Sequence, residues 1–209
     1  MIDGAWIEDN WQSITGLLID HVQLVALSML IGALVACLMV LITQWRPALA
    51  RPLVYISGVL FTIPSLALFI LLIPLTGLSK ATSVIGLSLY SLLIMLQNIL
   101  AGLASNPTDV LEEARALGYT RLQVFLTVEI PLAMPSILAG LRTTAVTLVG
   151  LVTVTAIIGQ GGLGQLLVTG LTLSFPTPVI ISLLLTVVLA LSLDIAFYAI
   201  EKSLVPWVR

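Results

Sequence analysis

Residues 105–131 read SNPTDVLEEARALGYTRLQVFLTVEIP, a polar run set in a chain that is otherwise close to continuous hydrocarbon. The run holds six of the eighteen Asp, Glu, Lys and Arg residues in a chain of 209. Over the whole chain 59% of residues are hydrophobic and 9% charged, with mean hydropathy +1.19; a soluble domain carries about 25% charged residues. A soluble globular protein is excluded. Eight Lys and Arg against ten Asp and Glu leave a formal charge of -2, so no basic surface exists to neutralise a row of phosphates and nucleic-acid binding is excluded with it.

Within the polar run, Asn106 is placed to cap a helix whose first residue is Pro107. Asp109, Glu112 and Glu113 favour its positive N-terminal half, and Gly118 supplies a left-handed stop. Val110, Leu111, Ala114 and Leu117 fall on its apolar side. Thr120-Arg121-Leu122-Gln123 reads as a capping box that opens a second helix, expected to run to about Glu129 and to end before Pro131.

On either side lie apolar segments long enough to cross about 30 Å of hydrocarbon: Val22–Thr43, Leu53–Leu75, Val84–Leu103, Ile137–Ile158 and Val179–Ile200. The expectation is one all-α integral membrane domain, residues 1–209, of about five transmembrane helices with a loop at about 105–131. Lys and Arg in short loops stay preferentially in the cytoplasm. With the N-terminus outside and the C-terminus inside, Arg46, Arg51, Arg115, Arg121, Arg142, Lys202 and Arg209 fall at or within the cytoplasmic face, leaving Lys80 outside. Trp6, Trp11, Trp45 and Trp207 stand near span ends, where indoles favour the headgroup layer. Trp6–Leu18 has helical apolar spacing and is expected to lie along the outer surface as an anchor. Asp3, Glu8, Asp9 and Asp20, with no cation before them, are the reverse of a signal peptide, so the first twenty residues are expected to remain attached. Cys37 has no partner for a disulfide and is expected to face lipid or pack.

The spacing Glu112-Glu113-Ala114, three residues, Gly118, nine residues, Val128-Glu129-Ile130-Pro131 resembles the EAA loop, E-A-A-x3-G-x9-I-x-L-P, of permease subunits of binding-protein-dependent ABC importers. Glu113 stands where the first Ala is expected, and Val128 and Ile130 are conservative departures. Thr62-Ile63-Pro64-Ser65-Leu66-Ala67, Ile130-Pro131-Leu132-Ala133-Met134-Pro135 and Gly159-Gln160-Gly161-Gly162-Leu163-Gly164-Gln165 resemble the osmoprotectant branch, which imports glycine betaine, carnitine or choline. The Gly-Gly-Leu-Gly turn is shared with methionine-type permeases. The resemblance implies a type I ABC importer permease fold in a prokaryotic plasma membrane. It implies that Glu112, Glu113, Ala114, Leu117 and Gly118 belong to a coupling helix docked on a separate ATPase. It implies, as partners, two ATP-binding subunits holding ATP and Mg, a second permease chain, identical or homologous, and an extracytoplasmic substrate-binding protein. This chain is expected to be no enzyme and to hold no cofactor, and the sequence has no G-x-x-x-x-G-K-[ST] phosphate cradle.

Pro64 frees a backbone carbonyl inside the second span and is expected to kink it toward a cavity or another helix. Thr62, Pro64, Ser65 and Gln97 are candidates for a pathway or gate, with Asn98, Thr144 and Thr147 as further polar groups able to wet a passage. Phe61, Phe69 and Tyr90 could offer ring faces to a quaternary ammonium. Gly161, Gly162 and Gly164 are expected in a tight outer turn or re-entrant gate; the accidental match to a dinucleotide fingerprint lacks its strand and acidic residue. Gly32 and Ala36 form a small-xxx-small pair for close helix approach. His21 is expected at the outer interface, with no metal cluster around it. Asp194, near the cytoplasmic end of the last span, is expected to make a structural pairing with Arg142. An intramembrane serine protease would need a general base beside its nucleophile, which a lone His at the membrane edge does not supply. A passive channel or secondary transporter would leave the organised loop without a purpose.

Overall fold

The computed structural model describes residues 3–206 and is helical throughout that range, apart from its turns. A short α1 (Gly4–Asp9), capped by the Asp3 carboxylate on the Trp6 N–H, leads into α2 (Trp11–Trp45). Beyond a 3-10 turn at Pro47–Leu49 come α3 (Ala50–Thr62) and α4 (Ser65–Thr76), then α5 (Lys80–Ala104). The polar run forms α6 (Thr108–Ala116) and α7 (Arg121–Val124). A π-turn at Phe125–Glu129 joins α7 to α8 (Ile130–Val154). After a second 3-10 turn at Thr155–Ile158, α9 (Gly164–Thr172) precedes α10 (Pro176–Leu204).

Among the described residues four helical rods are long and apolar enough to span a membrane, and the bent pair α3–α4 makes a fifth crossing if counted as one. The bend at Pro64 is 98°, much sharper than a kink. Pro64 offers no N–H to the Leu60 carbonyl, which instead accepts the Ile63 N–H at 3.3 Å, while the Ile63 carbonyl accepts the Tyr90 hydroxyl. The broken backbone is thus satisfied by its neighbours, as hydrocarbon demands.

Helix α5 is the hub. Gly32 on α2 faces Ser91, so that a methyl on Gly32 would meet the Ser91 Oγ at 1.7 Å, and Ser88 Oγ donates to the Ser28 carbonyl at 3.1 Å. On its other side Gly102 faces Ala133 and Ser136 of α8, and Gly140 faces Asn98. Lipid tails are as apolar as leucine, so helices in a membrane associate through close packing, and small residues at the crossings permit it. The Gly32–Ala36 pair lies on this buried stripe with Ser28 and Val40. By contrast α10 is nearly bare, with 6% of its most apolar window buried.

Several sequence expectations need correcting. The helix expected over Trp6–Leu18 is not one element: it breaks at Asn10, and Trp11–Leu18 already belong to the 35-residue α2. Trp11 and Trp45 are exposed near the two ends of α2, whereas Trp6 packs edge-on against Phe175 at 5.7 Å; Trp207 and Arg209 lie outside the described residues. Pro131 does not end a helix. The π-turn's wider ring takes up the missing Pro131 N–H, and the chain from Arg121 to Ile158 is one rod of 38 residues. Cys37 is exposed on the flank of α2.

Candidate functional site

At one end of the bundle α6 and α7 form a capped helical corner. Gly118 turns it with φ +90, a left-handed conformation natural only to glycine. The turn is closed by Tyr119 N–H to the Ala114 carbonyl at 3.2 Å and Gly118 N–H to Arg115 at 3.0 Å. The Thr120–Gln123 capping box forms as the spacing predicts, both reciprocal bonds present. Asn106 does not cap α6, which starts at Thr108 with no side-chain cap. Its buried amide instead reaches across to donate to the Glu129 carbonyl at 3.0 Å, tying the start of the corner to the π-turn.

Val110, Leu111 and Ala114 of α6 and Leu117 at its C-cap do not share one environment. Ala114 turns inward and is buried, while Val110 and Leu117, two turns apart on one side, point outward, Leu117 with 79% of its surface exposed. Glu112, Glu113 and Arg115 are exposed, and none of them forms an ion pair among the described residues. The corner therefore presents an apolar tip rimmed by charge, with nothing in the described chain to cover it.

The other candidates are scattered. Thr62 and Pro64 are exposed at the α3–α4 break, Ser65 is half-buried there, and Gln97 is exposed on α5. Phe69 is wholly buried in the core and cannot offer its ring to a passage; Phe61 and Tyr90 meet edge to face at 5.5 Å. Thr144 is also fully buried and wets nothing.

Gly161, Gly162 and Gly164 are buried at the opposite end of the bundle, where the chain packs backbone on backbone. The intervening Leu163 is clamped by side chains. His21 Nδ1 accepts its N–H at 3.3 Å, and Ser182 Oγ donates to its carbonyl at 2.7 Å. His21 Nε2 lies 3.1 Å from the Val149 carbonyl, so with Nδ1 accepting, Nε2 carries the proton and the ring is neutral. His21 is fully buried inside the protein. The linear apolar window ended beside it, and its partners lie 128 and 142 residues on. Replacing His21 by Leu leaves the buried Leu163 N–H without its acceptor, at about 1–3 kcal/mol, and removes the second bond on the Val149 carbonyl. The expected result is a clear drop in the detergent melting temperature, and an unchanged melting curve would refute the clamp.

Arg142 and Asp194 pair as the sequence predicts, side by side and bidentate, Nε to Oδ1 at 2.5 Å and Nη2 to Oδ2 at 2.6 Å, with the guanidinium 5.5 Å from the Tyr198 ring centre. The pair is not near a helix end. Arg142 stands twelve residues from either end of α8, and Asp194 ten residues before the end of α10.

Residues 22–206 match the family described as "Binding-protein-dependent transport system inner membrane component". The chain is 33% identical over 188 residues to the choline transport system permease protein OpuBB of Bacillus subtilis, covering 90% of this chain and 86% of that one. It is 34% identical over 203 residues to the osmoprotectant import permease protein OsmW of Salmonella typhimurium, covering 95% and 94%. Its fold is similar to a chain of the inward-facing MetNI methionine ABC transporter, with TM-score 0.81 at 23% identity, covering 92% of this chain and 98% of that one.

Proposed function

The chain belongs to the binding-protein-dependent transport system inner membrane component family, and from that premise we propose that it carries a compatible solute such as glycine betaine, carnitine or choline through a prokaryotic plasma membrane, driven by ATP hydrolysed elsewhere. It is a multi-pass membrane subunit. The solute class follows the names of relatives 30–36% identical to it, among them choline, carnitine and osmoprotectant permeases. In this reading α6 is the coupling helix, with Glu112, Glu113, Ala114, Leu117 and Gly118 forming or supporting its contact with an ATP-binding subunit. The observation that carries the reading is the exposed apolar tip of that corner, Leu117 without cover among the described residues, the type of side chain that anchors in a partner's pocket.

The corner lies in the cytoplasm and the N-terminus outside, since Arg46, Arg51, Arg115, Arg121 and Lys202 then share the inner face. Two ATP-binding subunits hold ATP and Mg. A second permease chain supplies the second coupling helix, and an external binding protein delivers solute. When the ATPases close, the docked corners are drawn together and the bundle opens outward; release of the nucleotide products returns it inward.

The test is uptake. This chain is purified with the subunits that accompany it, reconstituted in liposomes with ATP inside, and offered radiolabelled glycine betaine with its binding protein. ATP-dependent accumulation displaced by excess carnitine or choline is the expected result. Accumulation displaced by methionine alone would assign the chain to a methionine-type importer, and accumulation indifferent to ATP would make it a secondary carrier.

A further inference from the structure

Arg142 and Asp194 each keep about a third of their side-chain surface exposed, 35% and 33%. Both residues fall inside the apolar segments Ile137–Ile158 and Val179–Ile200, Arg142 twelve residues from either end of α8 and Asp194 ten before the end of α10. A charge at that depth is stable only against water or protein, never against hydrocarbon. The face shared by α8 and α10 is therefore not a lipid face.

That face holds an open groove of about 410 Å³, to which Arg142, Thr143, Thr147, Asp194 and Glu201 contribute. The volume suits a small solute. Arg142 commits two of its five N–H donors to Asp194, which leaves three for another acceptor. Asp194, Tyr198 and Glu201 recur at helical spacing along one side of α10, and Glu201 has no ion-pair partner among the described residues. Free cationic donors thus stand at one position, and an aromatic ring and an unpaired carboxylate one to two turns away. This is a dipolar site, matched to a molecule that carries both signs.

We propose that the α8–α10 groove is a solute-contact station in the wall of the passage, taking a small zwitterion with its carboxylate on the free N–H groups of Arg142 and its cationic end toward Glu201 and Tyr198. The inference rests on the import function proposed above. The Arg142–Asp194 pair then has a use beyond holding two helices together, because Asp194 fixes the guanidinium in the plane that presents its remaining donors.

The experiment labels single cysteines in a Cys37→Ser background, in membranes opened on both sides and without nucleotide, using a membrane-impermeant, quaternary-ammonium methanethiosulfonate. Thr143→Cys and Thr147→Cys are expected to react, while Leu34→Cys, exposed on α2, does not. Glycine betaine is expected to slow the reaction at Thr143→Cys and choline, which lacks the carboxylate, to slow it less; Arg142→Gln is expected to abolish the difference. Absence of labelling, or equal protection or none from the two solutes, overturns the proposal. The betaine–choline contrast decides the case in the intact pair, so it survives a failure of Arg142→Gln to assemble. Labelling is read on this chain without ATP, so its failure is separable from a failure of ATP-driven uptake.

Discussion

Leu117→Asp is expected to strip the ATP-binding subunits from the purified complex while leaving the permease chain as stable as before. The side chain is 79% exposed at the tip of the corner, so no packing within the chain is lost. In a complex the same leucine would be buried, and burial of such a side chain contributes about 1.5–3 kcal/mol. At 1.4 kcal/mol per tenfold, removing it weakens docking by roughly ten- to a hundredfold, and a carboxylate forced into an apolar cleft adds to the loss. Co-purification at a fixed detergent concentration gives the answer. Glu112→Gln, on the charged rim, is the comparison, expected to alter mainly the salt dependence of association. Retention of the ATPase by Leu117→Asp at the level of the unaltered chain would remove α6 as the coupling element.

Gly161→Ala and Gly164→Ala are expected to have the largest effect on stability. A methyl group on Gly161 would stand 2.2 Å from the Ala156 backbone nitrogen, and one on Gly164 2.4 Å from the Thr153 carbonyl oxygen. Both neighbours are main chain, so no rotamer change relieves the contact, and the cost falls at or above the upper end of the usual 1–3 kcal/mol for overpacking, about 3 kcal/mol or more. The yield of monodisperse protein and its melting temperature should both fall. Gly150→Ala, with nothing within 4 Å of the added methyl, should be neutral or slightly stabilising, as alanine is in a helix. Equal behaviour of the three variants would refute the close packing of the turn.

What could be read from the sequence was what local chemistry decides. Four of the five apolar runs became spanning rods and the fifth a bent pair of helices, because length against hydrocarbon thickness needs no tertiary knowledge. Thr120 and Gln123 cap one another across three residues, and Gly118 needs only its own φ. Arg142 and Asp194 could be paired because few charges lie in the spans. What escaped depends on partners far along the chain. Asn106 has the composition of a cap, yet a carbonyl 23 residues on claims its amide. His21 is drawn inside by Val149 and Leu163. Pro131 reads as a stop unless the preceding turn widens, and nothing in five residues of FLTVE announces that it will. The split of α6 into an inward Ala114 and an outward Leu117 likewise requires the corner's docking geometry.

The continuous helical rod from Arg121 to Ile158, π- and 3-10 turns included, has a mechanical meaning. Thirty-eight residues make a stiff beam about 57 Å long, with the charged corner at one end and the clamped glycine turn at the other. If the clamp serves as fulcrum, tilting the beam by about 5° carries the corner through about 5 Å and Arg142, near mid-length, through roughly half of that. Leverage of this kind would let one stroke at the corner open or shut the groove beside Arg142, with no signal relayed from residue to residue between them.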